Sequence, residues 1–319
     1  LLNLHNDIPE SYIEDFDMIR KKILPLAKRK KIIFSMHSLF TNDNFKIYIA
    51  ETKKVDSKYI QVAHGGGLVR KFNPHDYFFE KVSDKIISWD RTKEKKNIFV
   101  NLSPTLPLIK LKNNKVGSDC SIVFVETKRY LPEFCTMITS TQSIDFFNQL
   151  SQLVRDLNPE IRSKIKFRTK GIYSYNSEKR FSEMFGKESV DKISSNKPFE
   201  NTILNSKLII MTYPETAFSQ TMYSNTPTIL IIKKNHWQFS KAALQTFNVL
   251  KENKIAFENF DEAKTHINKH WKELDTWWKS KNVQSARKIF LTNFFNVKPD
   301  WYREWSDYIH SSLFPNNVK

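Results

Sequence analysis

Nine short apolar runs alternate with longer, polar-faced stretches, and this alternation restricts the chain to few architectures. The runs are "KIIFSM" (31–36), "YIQVAH" (59–64), "KIISW" (85–89), "NIFVNL" (97–102), "SIVFVET" (121–127), "KIKFRT" (164–169), "KLIIMTY" (207–213), "TILIIK" (228–233) and "KIAFEN" (254–259). Most are rich in β-branched or aromatic residues, as buried parallel strands are. Between them, "TQSIDFFNQLSQLVRDLN" (141–158), "ETAFSQTMYSN" (215–225) and "SKAALQTFNVLKEN" (240–253) carry apolar residues at helical spacing. Strand–helix alternation of this kind predicts an α/β architecture.

At 319 residues the chain is long enough for two domains. The polar stretch "KLKNNKVGSDC" (110–120) separates two sets of strands. It predicts one Rossmann-like half over residues 1–112 and a second over 118–319 that includes terminal helices. Trp271, Trp277 and Trp278 are expected to pack the C-terminal helices rather than bind a ligand. The chain opens with Leu, which leaves room for an upstream segment.

No run approaches the roughly 18 apolar residues of a membrane span, and no signal peptide is visible, so a cytoplasmic setting is expected. The two cysteines, Cys120 and Cys135, form no metal motif. A net charge of +17 favours anionic partners, including an anionic inner-membrane surface met peripherally. Lysine enrichment from AT-rich coding explains the same charge equally well. No zinc-finger, RRM or KH signature points to nucleic acid.

Only six glycines occur, and three stand together in "KYIQVAHGGGLVRKF" at Gly65, Gly66 and Gly67, directly after a strand and His64. Ligands of parallel sheets bind at the carboxyl ends of strands. Glycines there let backbone N–H groups approach an anion closely; a tight structural turn is the alternative. The spacing is neither G-x-G-x-x-G nor a P-loop. Lys46 and Glu51 in "FTNDNFKIYIAE" (40–51), with Glu80 and Asp84 before the third strand, are expected to converge on this loop. Together with His64 they would form an acid/base and anion-binding site.

In the second half, Arg168 and Lys170 end a strand in "KIKFRTKG", where arginine can clamp a phosphate. "LIIMTYPETAFSQTMYSNTPTILI" (208–231) ends a buried strand at Thr212-Tyr213 and places Glu215 and Thr216 at a helix start. The Thr216 N–H and hydroxyl are expected to face outward, where they would attract anions. Two metal patterns are set aside: Asp15-x-Asp17 lies in a helix-like stretch, and His266/His270 lack an accompanying glutamate and read as a solvated face. No metal site is expected.

The succession "FKIYIAE", "QVAHGGGLVRKF", "EKVSDKIISWD", "LIIMTYPETAFSQTMYSNTPTILI" and "WWKSKNVQSARKIF" resembles bacterial surface-polysaccharide transferases of capsule and O-antigen clusters. It is similar in layout to enzymes that transfer Kdo or other nonulosonic acids, such as pseudaminic acid, from CMP-activated donors. The usual "QHGGGYG" of such enzymes stands here as "VAHGGGLVR". The resemblance implies a GT-B-like fold, with two Rossmann-like domains facing across a cleft. It also implies a nucleotide-sugar site at Thr212, Tyr213, Glu215 and Thr216, and a glycan or glycolipid acceptor. No cofactor beyond the CMP-sugar co-substrate is implied. Two other readings fit the same residues: a CDP-glycerol-type glycerophosphotransferase, and a non-catalytic module binding an anionic polymer.

Overall fold

A computed structural model describes residues 8–28, 30–66, 74–93, 97–105, 117–125, 140–170, 176–191, 198–237 and 239–314. The chain forms two compact units. The first comprises Leu1–His64, Pro74–Ser103 and Lys298–Lys319, and the second Gly65–Asn73 and Pro104–Val297.

The first unit begins with α1 (Phe16–Ile23), β1 (Ile32–Ser35), α2 (Ser38–Thr41), α3 (Asp43–Lys53) and β2 (Lys58–Val62). It continues with α4 (Pro74–Val82), β3 (Lys85–Ser88) and β4 (Phe99–Asn101). In the second, β5 (Asp119–Val125), α5 (Ser140–Asp156), α6 (Pro159–Arg162), β6 (Ile165–Lys170), α7 (Ser177–Phe185) and α8 (Phe199–Asn205) come first. They are followed by β7 (Ser206–Met211), α9 (Thr216–Ser224), β8 (Thr228–Ile231), α10 (Lys241–Glu252) and β9 (Ala256–Phe257). Helices α11 (Phe260–His270), α12 (Leu274–Trp278) and α13 (Lys281–Phe294) complete it, and α14 (Trp301–Leu313) returns to the first unit. Each of the nine apolar runs holds a strand.

The first sheet is parallel in the order β1-β2-β3-β4. Alternation along β2 divides its side chains between two layers. Tyr59 packs with Leu39 and Ile49, beside Phe45 and Phe79 of α3 and α4. Ile60 and Val62 pack with Ile87 and Leu102 under Trp305 and Tyr308 of α14. Helix α14 is pinned just beyond β4: the Glu304 carboxylate accepts from the Ser103 N–H at 2.8 Å and hydroxyl at 2.6 Å. Trp305 Nε1–H donates to the Ser103 carbonyl at 2.8 Å. The expected boundary near 112–118, with everything after it in one domain, therefore needs correction. The break falls at Ser103/Pro104, and residues 298–319 belong with the N-terminal sheet.

The second sheet is parallel in the order β6-β5-β7-β8-β9. Its central strands read as continuous apolar runs because helices cover both faces: Ile209, Ile210, Met211, Ile229, Leu230 and Ile231 are all fully buried. On one flank Phe167 stacks on Phe181 at 3.9 Å between centroids. Trp271, Trp277 and Trp278 are buried as expected. Trp278 Nε1–H donates to Asn225, the left-handed residue ending α9. His266 departs from the solvated face expected of it. It packs between Phe257 and Trp277, and burial pulls its pKa down to about 4. Among the described residues, no helix is long and apolar enough to cross a membrane.

Candidate functional site

Three polar side chains of the first unit share one position relative to their strands. His37, His64 and Asp90 each stand two residues past the last residue of β1, β2 and β3. This is the carboxyl edge of a parallel sheet, where ligands gather. The His37 and His64 rings lie 4.7 Å apart between centroids, tilted by 45°, and both residues are exposed. A buried network sets that spacing. Tyr59 donates to Gln61 Oε1 at 2.5 Å, and Gln61 Nε2–H donates to the Met36 carbonyl at 2.8 Å. The backbone leading to His37 is thereby tied to the strand that delivers His64. Burial pushes the Tyr59 phenol up to about 12, so it stays a donor. Asp90 Oδ1 is held by the Thr92 N–H at 2.9 Å and its hydroxyl at 2.5 Å.

His37 and Asp90 were not among the expected site residues. In the sequence both directly follow an apolar run; the offset they share with His64 emerges only against the strand ends.

The carboxylates expected beside the glycines are elsewhere. Glu51 lies eight residues along α3 from Asp43, roughly 12 Å at 1.5 Å per residue and towards the amino edge of the sheet. It is buried and accepts from Arg20 Nε at 2.7 Å and Lys54 Nζ at 2.8 Å. The Arg20 hydrogen bond, followed by that of Lys54, pulls its pKa to about 2. Asp84 precedes β3 at the same amino edge, accepting from the Tyr59 N–H at 2.7 Å and Lys53 Nζ at 2.8 Å. Glu80 lies in the last turn of α4, which leads to that edge. The convergence of Glu51, Glu80 and Asp84 on the glycine loop is thus corrected. Helices α3 and α4 run back across the sheet and carry these residues away from its carboxyl edge. Lys46, in the first turn or so of α3, does stay near that edge, bonded to Asp43 at 2.8 Å and Tyr12 at 3.2 Å.

Glu51→Gln is accordingly expected to leave catalysis unchanged and to cost about 1 kcal/mol or less, because Arg20 and Lys54 are 37% and 59% exposed. The native carboxyl has the lower pKa, so its contribution is present above about pH 4.5 and lost as pH falls toward 2. Denaturation curves of wild type and variant should converge over that window.

In the second unit the chain leaves β5 toward β6 on one side and later crosses to β7 on the other. The carboxyl ends of β5 and β7 therefore mark the topological switch point. Thr212, just past β7, donates its hydroxyl to the Val123 carbonyl at 2.9 Å. Tyr213 follows, its phenol pushed up to about 12 by burial with Arg168 opposing. Arg168 is half-buried on β6, donating to Thr202 Oγ1 at 3.0 Å and lying over the Phe199 ring at 5.5 Å. Burial lowers its pKa, against the charges of Asp191, Tyr213 and Glu200. Glu215 is the N-cap residue of α9, with no side-chain cap. Lys170 is the last residue of β6; its side chain, like Gly67, lies outside the described residues.

The same helix start explains one of the clustered glycines, Gly65, and seats the next. Gly66 N–H donates to Thr216 Oγ1 at 3.2 Å, and Ser219 Oγ donates to the Gly66 carbonyl at 3.2 Å. A Cβ on Gly65 would lie 2.3 Å from Thr216 Oγ1. The Thr216 hydroxyl is therefore occupied by the glycine segment, not directed outward as expected. Two motifs about 150 residues apart in the chain meet within one unit. Among the described residues, no group of three His, Cys, Asp or Glu is placed to hold a metal ion.

Solved structures overlap the chain only loosely. The wall teichoic acid polymerase TagF (H548A) gives a TM-score of 0.44 at 13% identity, over 90% of this chain and 74% of that one. MurG of Acinetobacter baumannii gives 0.47 at 8%, over 92% and 76%. WaaG, a glycosyltransferase involved in lipopolysaccharide biosynthesis, gives 0.43 at 7%, over 93% and 95%. At these scores the overlaps carry no functional weight. No curated protein matches the chain. The profile of the LIC12162 family transferases, in contrast, matches residues 2–309. With almost its whole length covered, the chain belongs to the LIC12162 family of transferases.

Proposed function

We propose that this transferase is a glycosyltransferase that moves an acidic sugar (Kdo, pseudaminic acid or a related nonulosonate) from a CMP-activated donor to a bacterial surface glycan. The observation that carries the reading is the alignment of His37, His64 and Asp90 at one sheet edge, which supplies proton-transfer groups where parallel sheets bind ligands. The donor class rests on the resemblance of residues 208–231 to nucleotide-sugar sites. An acceptor hydroxyl attacks the anomeric carbon, His64 takes its proton, and the bond from that carbon to the phosphate oxygen breaks. CMP leaves with the electron pair. Arg168 and the first N–H groups of α9, at the switch point, balance phosphate charge in the second unit. With these groups in place the reaction runs without a metal.

The test is thermal melting with CMP, CDP, UDP and GDP. A ligand that binds only the native state at a hundred times its Kd stabilises by about 2.7 kcal/mol. CMP and CDP should raise Tm, and Arg168→Ala should weaken the shift. No shift with any nucleotide at millimolar concentration would remove the donor site. Transfer of phosphorus to the acceptor, seen by phosphorus NMR, would show glycerophosphate transfer instead.

A further inference from the structure

Apolar exposure is unevenly distributed. Among the described residues, fourteen of the seventeen exposed large apolar side chains lie in the first unit, and seven fall between Ile8 and Leu26. Scattered single apolar residues need no explanation, whereas a concentration of them marks a contact surface. Helix α1 and its exit carry four of these seven, Phe16, Met18, Leu24 and Leu26. Ile23 and Ala27 are buried against the unit, and Arg20 is bonded to Glu51 at 2.7 Å, which fixes the inward face. Met18, Leu24 and Leu26 are then left 48%, 43% and 66% exposed.

Past Asp17 in the first turn of α1, the charge on this stretch is one-signed. "MIRKKILPLAKRKK" (18–31) contains seven basic residues and no acid. Lys21, Lys22, Lys28 and Lys30 are all exposed. Exposed apolar side chains among exposed lysines complement one kind of partner: a surface that is anionic outside and apolar just beneath. We infer that Met18–Lys28, with Lys30, is a docking surface for an anionic lipid bilayer. Met18, Leu24 and Leu26 enter the headgroup boundary, and the lysines meet lipid phosphates. A nucleic acid would use the cations but leave the leucines in water. This inference does not depend on the donor reading, and it assigns a place on the molecule to a charge that composition alone leaves diffuse.

The experiment is co-sedimentation of the full chain, without nucleotide, with phosphatidylcholine vesicles and with vesicles containing about 30 mol% phosphatidylglycerol. Binding should be at least about tenfold tighter to the anionic vesicles, and weakened but not abolished by salt. Leu24→Glu with Leu26→Glu should lower it at least about tenfold. Both positions are exposed, so Tm and any CMP-induced shift should be unchanged. Lys21→Glu with Lys22→Glu should remove most of the preference for anionic lipid. Equal binding to both vesicle types, or full binding by the leucine variant, would overturn the inference. So would binding to a single-stranded RNA but to no vesicle. A folded variant that loses vesicle binding and keeps its nucleotide shift supports it.

Discussion

His64→Ala is expected to lower transfer at least about a hundredfold while leaving Tm close to wild type. A positioned acid or base contributes roughly 10²- to 10⁴-fold, and the His64 ring is exposed at a strand exit, so removing it opens no core cavity. His37 lies 4.7 Å away, ring to ring, and His37→Ala should have a smaller effect on the rate, because His64 keeps its place at the strand exit. Asp90→Asn tests the third group at the same edge. Parallel measurements of initial rate and melting temperature decide the matter. If His64→Ala turns over at the wild-type rate, or falls only in proportion to lost folding, proton transfer is assigned to the wrong residue.

The second large effect is on stability. Gly65→Ala should destabilise the second unit by about 1–3 kcal/mol, the usual cost of forcing extra volume into a packed site. Its Cβ would sit 2.3 Å from Thr216 Oγ1. Rotating that hydroxyl away would break the bond it accepts from the Gly66 N–H at 3.2 Å. Thr216→Ala frees the space at the cost of the hydrogen bond. The double variant should therefore be more stable than the sum of the single changes implies, with a coupling of about 0.5–3 kcal/mol. Calorimetry on all four proteins checks this. Strict additivity would mean that the glycine segment is not seated on α9 in solution. The experiment also separates packing from phosphate binding as the reason for glycine at this position, since the coupling needs no ligand.

Much of this organisation could be read in the chain, and the reasons differ by element. The strands are legible because a parallel strand covered on both faces must be apolar throughout, as in "LIIM" of β7. His64 is legible because the glycines after it draw attention to a strand end. His37 sits in "SMHSLF", where nothing local distinguishes it from a core histidine; the offset it shares with His64 emerges only once the strand ends are known. Glu51 was misplaced for another reason. The stretch 40–51 follows the first strand directly, and a reading that keeps all of it near the edge cannot foresee an 11-residue helix carrying Glu51 away from it. Helix α14 had its own signal, Trp301, Trp305 and Tyr308 at four- and three-residue spacing. Spacing reveals an apolar face but not which of two sheets it covers.

The return of α14 sets an order of events during synthesis. Ser103 and its partner Glu304 are 201 residues apart, so at the usual 5–20 residues per second the ribosome needs roughly 10 to 40 s to pass from one to the other. Throughout that interval β1–β4 are available to pair, while the face formed by Ile60, Val62, Ile87 and Leu102 lacks its cover. The unit that is translated first is thus the one completed last, after the intervening segment Pro104–Val297 has had time to fold. A nascent chain stalled before residue 301 would present a half-finished sheet to chaperones and proteases.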